Sequence, residues 1–126
     1  MNALESFQEV EGYARYRPVK ECSLQEAIDL VCAAVAFARD HQIKKLLVDT
    51  TELTGFSPPN TWQRFQMGEK IAKEAQSAVK LAVLARLEMI DVRHFGITVA
   101  RNRGLTAEVF DAEADALAWL LDAQTR

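Results

Sequence analysis

The chain has 126 residues, of which 49% are hydrophobic and 26% are charged, and its formal net charge is −3. This length fits a single domain, residues 1–126, with a buried core, and the charge argues against nucleic acid and anionic membranes as partners. No window is long and apolar enough to span a bilayer, and the first residues lack a signal-peptide pattern, so we expect a cytoplasmic protein without stable membrane insertion.

The first part of the chain predicts two strands and a helix. Residues 4–18 read as an antiparallel pair that turns at Gly12 and ends at a proline. Ser23 and Glu26 have the spacing of a capping box, and apolar residues at helical spacing then predict a helix to about His41.

The two cysteines are not predicted to have a chemical role. Cys22 and Cys32 lack the spacing of a metal or redox pair, so we interpret Cys32 as a small buried apolar residue and Cys22 as a loop residue. No metal site and no cofactor are expected.

Residues 44–59 are the most informative stretch of the sequence. Residues 45–49 form a short apolar run that predicts a buried strand, and hydroxyls, a glycine and two prolines follow it. Ser57 and Pro58 predict the N-cap and first position of the next helix, and Asn60 is a competing cap. A strand end that leads into a helix is where open α/β sheets bind ligands or partners.

The remaining chain predicts two further strand–helix units. A buried strand at residues 79–85 precedes a helix at 91–102 that stops at Gly104, and a strand at 105–110 precedes a helix capped by Asp111. The apolar stripe of this last helix is predicted to consist of Ala114, Leu117, Ala118 and Leu121. The alternation of strands and helices indicates an α/β fold with a mainly parallel sheet.

Three segments form a recognisable pattern: KLLVD at 45–49, NRG at 102–104, and VFD at 109–111 running into ALAWL at 116–120. This pattern resembles the SpoIIAA-like proteins, bacterial relatives of the STAS domain that are described together with the CRAL-TRIO lipid-binding fold. The resemblance extends from about Gly12 to Leu121. It implies a SpoIIAA-like (STAS-like) mixed, mainly parallel sheet of about five strands with four helices, in which the first strand is an antiparallel edge strand.

The resemblance also points to a regulatory position. In the anti-sigma-factor antagonists of this superfamily, a serine that follows an aspartate at the start of the second helix is phosphorylated and controls partner binding. Here Ser57 stands at the aspartate position, and Pro58 and Pro59 occupy the serine positions. We therefore expect the usual phosphoserine switch to be missing. Ser57 remains a candidate phosphorylation site, with helix capping as the simpler interpretation.

The candidate ligand- or partner-binding residues lie mostly near the predicted strand ends. Asp49 is a candidate base, cation ligand or hydrogen-bond acceptor for the next loop, and Arg86 is expected to pair with it or to receive an anionic ligand. His94 and Arg101 share a helix face that permits an anion site. The complete candidate set is Asp49, Thr50, Thr51, Ser57, Trp62, Arg86, His94 and Arg101.

Three functions are consistent with these residues. The first is a non-enzymatic domain that binds a protein partner or small anionic ligand around residues 49–61. The alternative is a CRAL-TRIO-like protein that binds a small apolar ligand or lipid beneath the helix containing Trp62, and an apolar cavity would favour it. A hydrolase would require His94 and Asp49 to converge. A homodimer through the edge strand, Trp62 or Trp119 is compatible with each function.

Overall fold

The computed structural model of the protein describes residues 7–122. Strands β1 (Phe7–Val10) and β2 (Tyr13–Tyr16) pair antiparallel, and Gly12 takes a φ of 87° in the turn between them. A residue without a side chain adopts this left-handed conformation at low cost, which explains the position of the turn. The predicted hairpin is confirmed, and its first part, residues 4–6, lies outside the described residues.

The remaining elements alternate between strands and helices. They are β3 (Lys20–Glu21), α1 (Leu24–Asp40), β4 (Lys45–Asp49), β5 (Leu53–Thr54), α2 (Thr61–Ala75), β6 (Lys80–Leu84), a 3₁₀ turn (Leu87–Met89), α3 (Phe95–Asn102), β7 (Thr106–Phe110) and α4 (Glu113–Leu120). The main sheet has the order β1-β2-β4-β6-β7, and all of its pairs except β1–β2 are parallel. Within residues 7–122, the predicted α/β fold with a mainly parallel five-stranded sheet and four helices is confirmed.

The two faces of the sheet are covered by different helices. Leu46, Val48 and Leu81 point to one face and pack in a core with residues of α1, α2 and α3. Leu47 and Ala82, their neighbours along the strands, point to the other face and pack against α4. Each central strand is therefore apolar on both sides, as expected for a parallel sheet buried between helices.

The helix starts follow local capping chemistry. Ser23 and Glu26 form the predicted capping box of α1. Helix α2 has Asn60 as its N-cap, in a reciprocal pair with Gln63, so the prediction that Ser57 caps this helix is wrong. The cause is the second proline. A residue that precedes a proline is disfavoured in the helical conformation, so Pro59 prevents Pro58 from forming the first turn of the helix.

Helix α3 begins four residues later than the sequence predicted. Asp91 instead accepts hydrogen bonds from the backbone N–H groups of Arg93 (3.2 Å) and Phe95 (3.0 Å), which places residues 91–94 in a turn before the helix. The predicted stop is confirmed, because Gly104 has a φ of 91°. None of the helices within residues 7–122 combines the length and apolar character that crossing a membrane requires.

Helix α4 also differs from the prediction. Its N-cap is Ala112 rather than Asp111, and its buried residues are Ala116 and Leu120. The predicted apolar stripe, which included Ala114 and Ala118, is displaced by about one position. Because residues 116–121 are all apolar, the helix could bury either set of side chains. Contact with Leu47 and Ala82 of the sheet determines that Ala116 and Leu120 are buried.

A small second sheet lies beside the carboxyl end of β4. Strands β3 and β5 pair in parallel, and the Cys22 N–H donates to the Thr54 carbonyl at 2.8 Å. Cys22 lies in the loop between β3 and α1, as predicted, and this pairing buries it next to Leu53. The prediction that Cys32 is buried is wrong, because Cys32 is only half-buried. Burial raises the pKa of the Cys22 thiol, and it raises that of Cys32 to about 11. Neither is an activated thiol.

Candidate functional site

An apolar cavity lies between the three-helix layer and the sheet. Its volume is about 160 Å³, and its wall includes residues of the two loops that follow β4 and β6. Side chains from α1, α2, α3, the sheet and both loops form the wall, and most of them are aliphatic or aromatic. The apolar wall includes Leu24, Ile28, Val31, Leu53, Phe56, Met67, Ile71, Leu81, Val83, Ile90, Ile97 and Val109.

The packing of α2 explains why this space exists. The close contacts of α2 run mainly to α1 and α3 rather than to the sheet. Gly68 of α2 approaches α3 so closely that a Cβ at this position would lie 2.5 Å from the Gly96 carbonyl oxygen and 2.9 Å from the Val99 Cβ. Val83, in the middle of a central strand, is consequently only half-buried although helices cover its face. The gap above it is the cavity.

Polar groups are confined to a few positions of the cavity wall. They are Thr50, Arg64, Arg86, Asp91 and His94. The Thr50 hydroxyl is used internally, because it donates to the Leu84 carbonyl at 2.9 Å. Arg64 donates to the Met89 carbonyl at 3.3 Å, which ties α2 to the 3₁₀ turn. A mostly apolar wall with a few convergent polar groups is the usual character of a small-molecule site.

Arg86 is a polar wall residue whose guanidinium is only partly used by the protein. Its Nη1 donates to Glu88 at 3.2 Å, and its Nη2 donates to the Leu53 carbonyl at 3.2 Å. Its Nε is buried and has no hydrogen-bond partner among the described residues. A buried donor without a partner costs free energy, so this arginine is held in the wall at a cost to stability.

Asp49 belongs to a different network, on the α4 side of the sheet. This carboxylate is only 3% exposed, and its Oδ1 accepts from the Thr51 hydroxyl at 2.6 Å and the Thr51 N–H at 2.9 Å. Its Oδ2 lies 3.6 Å from Arg17 and 4.0 Å from Arg15. The predicted pairing of Asp49 with Arg86 is therefore wrong, because Arg86 lines the cavity on the opposite face.

His94 and Arg101 meet on one side of α3, as their spacing predicted, but a carboxylate of the protein already lies between them. The Oε1 of Glu108 is 3.2 Å from His94 Nδ1, and the Oε2 of the same residue accepts from Arg101 at 2.6 Å. An external anion here would have to displace Glu108. The pairing of His94 with Asp49 that a hydrolase would require is not formed, since each has other partners.

The loop between β5 and α2 presents the remaining candidates. Ser57 is exposed, and the adjacent Pro59 is buried in the cavity wall. Trp62 is 64% exposed and stacks on Phe65 with 5.4 Å between ring centroids, so it lies outside the cavity. Within residues 7–122, no cluster of three or more histidine, cysteine or acidic side chains could hold a metal ion.

The structure thus divides the candidate residues into four groups. Thr50, Arg86 and His94 line the cavity, and Asp49 and Thr51 belong to the network on the other face. Ser57 and Trp62 are exposed, and Arg101 is paired with Glu108 outside the cavity wall. Sequence reasoning missed the wall residues Arg64 and Asp91. Their only local signal was their position in the chain: Arg64 lies just after the start of a helix, and Asp91 lies just before one. Charged residues are common at such positions, so this signal does not identify a site.

Comparisons of the chain with models of protein families, with curated proteins and with solved structures each returned no match.

Proposed function

We propose that this protein is a non-enzymatic binding protein for a small molecule with an apolar body, which enters the cavity between α1, α2, α3 and the sheet. The observation that carries the proposal is the cavity of about 160 Å³ with its apolar wall. It favours the second of the functions considered from the sequence, binding of a small apolar ligand in the manner that the SpoIIAA-like and CRAL-TRIO resemblance suggests. The family assignment itself remains a prediction.

The cavity limits the size of the ligand. An engineered cavity of about 150 Å³ with a Leu/Ile/Phe lining stays dry and binds benzene. This cavity has a similar volume, so we expect it to hold one aromatic ring or a short, compact aliphatic group. Burial of about 200 Å² of apolar area at about 25 cal/mol per Å² contributes about 5 kcal/mol, which corresponds to a Kd of about 0.1–1 mM for a simple hydrocarbon.

Binding rather than catalysis is supported by where the reactive side chains lie. His94 pairs with Glu108, and Asp49 is engaged by Thr51 and two arginines. A catalytic acid or base needs hydrogen-bond reach to its substrate, and Asp49 is on the face opposite to the cavity.

Binding of a protein partner around residues 49–61, with or without a homodimer, is the second candidate. The observation that favours it is Trp62, which is 64% exposed at the start of α2 next to the exposed Ser57. Exposed tryptophans are enriched at protein interfaces. This surface and the cavity are separate, so the two functions are compatible.

The proposed function is tested by filling the cavity. Toluene is titrated into the wild-type protein, and binding is followed by two-dimensional NMR of the wall residues. In Val83→Phe the added ring occupies the cavity, so toluene binding is expected to be lost while the protein stays folded. Val19→Phe, which makes the same change at an exposed position, is the matched control and should bind toluene like the wild type.

Two outcomes would contradict the proposal. The first is a wild-type protein that does not bind toluene at concentrations of a few mM, which is several times the upper expected Kd of about 1 mM. The second is unchanged binding in Val83→Phe. Native mass spectrometry of the protein purified from its own host complements the titration, because a retained small molecule would identify the natural ligand.

A further inference from the structure

We infer that the ligand is a small monocarboxylic acid, whose carboxylate is received by Arg86 while its apolar group fills the cavity. This inference rests on the proposed function and adds the chemical class of the ligand to it.

Arg86 has hydrogen-bond donors that the protein does not use. Nη1 donates to Glu88 and Nη2 donates to the Leu53 carbonyl, and these contacts fix the plane of the guanidinium. A guanidinium has five N–H donors, so each Nη keeps a second one, and these lie at the partly exposed end of a side chain that is part of the cavity wall. The remaining nitrogen, Nε, is shielded from solvent and is not the donor that a ligand would meet. A charged donor in a fixed plane is suited to a carboxylate oxygen, because charge-assisted hydrogen bonds to arginine are directional and strong.

The charges around the cavity limit the charge of the ligand. Arg64 and Arg86 are the cationic groups of the wall, apart from His94, which is paired with Glu108. Asp91 is also a wall residue, and the backbone N–H groups of Phe95 and Arg93 lower the pKa of its carboxyl, so it stays ionised at neutral pH. Glu88 adds a second negative charge beside Arg86. The two arginines are thus matched by two carboxylates, and without an excess of positive charge a dianion such as a phosphate monoester is disfavoured more strongly than a monoanion.

Arg86 lies just beyond the carboxyl end of β6, in the wall of the cavity. Its side chain is partly exposed, so a carboxylate bound there keeps part of its hydration. Full burial of an ionised carboxylate would be much more costly. A ligand with one apolar and one anionic end therefore fits the cavity in one orientation, with its acid group outward.

The inference is tested with four probes of similar size. Toluene reports on the apolar cavity, benzoate carries the carboxylate, benzamide is its neutral isostere, and phenyl phosphate carries a dianion. We expect the wild-type protein to bind benzoate about tenfold more tightly than benzamide, as for one hydrogen bond to a charged group. Phenyl phosphate should bind more weakly than benzoate.

Variants of Arg86 test whether this residue causes the preference for benzoate over benzamide. In Arg86→Gln the affinity ratio of benzoate to benzamide should fall to about one, and Arg86→Lys, which keeps the charge but lacks the planar group, should give an intermediate ratio. Arg103→Gln is the matched control, because Arg103 lies at the end of α3 with Glu69 and is not part of the cavity wall. It should keep the wild-type ratio. Since both ligands are measured on the same variant, the ratio does not depend on the fraction of folded protein.

The outcomes separate this inference from the proposed function. If the wild-type protein does not bind toluene, the proposed function is contradicted. Toluene binding together with benzoate no tighter than benzamide, or with phenyl phosphate tighter than benzoate, overturns only the carboxylate inference. A preference for benzoate that persists in Arg86→Gln would overturn the assignment to Arg86.

Discussion

The two faces of the sheet achieve their packing in different ways. On one face a single helix of eight residues, α4, covers the strands, and its contacts are filled by fully buried side chains such as Leu47, Ala82 and Leu120. On the other face three helices provide far more cover, yet a cavity remains between them and the sheet. Helical cover alone therefore does not determine packing density. It depends on whether the helices contact the sheet or each other.

Polar contacts reinforce this difference. Lys80 is only 9% exposed, and its Nζ donates to the Trp119 and Leu120 carbonyls at the end of α4 and to the Asp122 carbonyl just beyond it. At the other end of α4, Arg15 holds Glu113 through two hydrogen bonds of 2.7 Å. The single helix is thus attached at both ends, and a cation at its C-terminus is favourable for the helix dipole. On the cavity side, the bond from Arg64 to the Met89 carbonyl is longer, at 3.3 Å.

The largest expected effect comes from removing the attachment of α4. Lys80→Met keeps the length of the side chain but leaves three carbonyls without their donor, so we expect a loss of about 3 kcal/mol in the free energy of unfolding, measured by urea denaturation. Lys44→Met, at an exposed neighbouring position, is the control and should change stability by less than about 0.5 kcal/mol. A similar small loss for both variants would show that α4 is held by apolar packing alone.

A direct comparison of the faces uses two consecutive residues of β6. Ala82 is buried against α4, whereas Val83 faces the cavity. We expect Ala82→Leu to destabilise the protein by about 2 kcal/mol because there is no space for the larger side chain. Val83→Phe should be neutral or stabilise by up to about 1 kcal/mol, because it fills a void.

Thermal or urea unfolding of both variants checks this pair. Equal destabilisation by the two substitutions would mean that the cavity does not accept a larger side chain. The conclusion that the two faces of the sheet differ in packing would then be wrong.

The smallest effect is expected at the turn that borders the cavity. Hydrogen bonds from Phe95 and Arg93 lower the pKa of the Asp91 carboxyl below its usual value of 3.8. A lowered pKa in the folded state means that the carboxylate stabilises the fold above the unfolded-state pKa, and that this contribution is lost as the pH falls through the folded-state pKa. Asp91→Ala should therefore reduce stability at neutral pH, and the difference from wild type should shrink in acid.

The control for this titration is Asp111→Ala. Asp111 precedes α4 without capping it, because the N-cap residue is Ala112 and makes no side-chain cap bond. Its replacement should change stability little at any pH. A pH-independent difference between Asp91→Ala and the wild type would contradict the proposed role of the ionised carboxylate.

Much of the fold could be predicted because its signals are local. The capping box of α1, the turn at Gly12 and the stop at Gly104 involve residues only a few positions apart. Predictions failed where two local signals competed. Ser57 and Asn60 were both good caps, and the rule for the residue before a proline decided between them.

The candidate site was predicted less well, for a physical reason that particular residues illustrate. A binding site was predicted at the strand end after β4, and Thr50 and Arg86 line the cavity. Yet Asp49 is held by Arg15 and Arg17 on the other face, and no spacing in the sequence relates these positions. The partner of a side chain at a strand end depends on the face of the sheet to which it points and on the neighbouring strand.

The sequence by itself determined the order of strands and helices, because hydrophobic periodicity and capping act within a few residues. Only the tertiary structure decided which side of α4 is buried and whether space remains beneath α2. Both depend on distances between elements far apart in the chain, such as the close approach of Gly68 to Gly96. That contact holds α2 close to α3, and the cavity proposed to bind a ligand lies between these helices and the sheet.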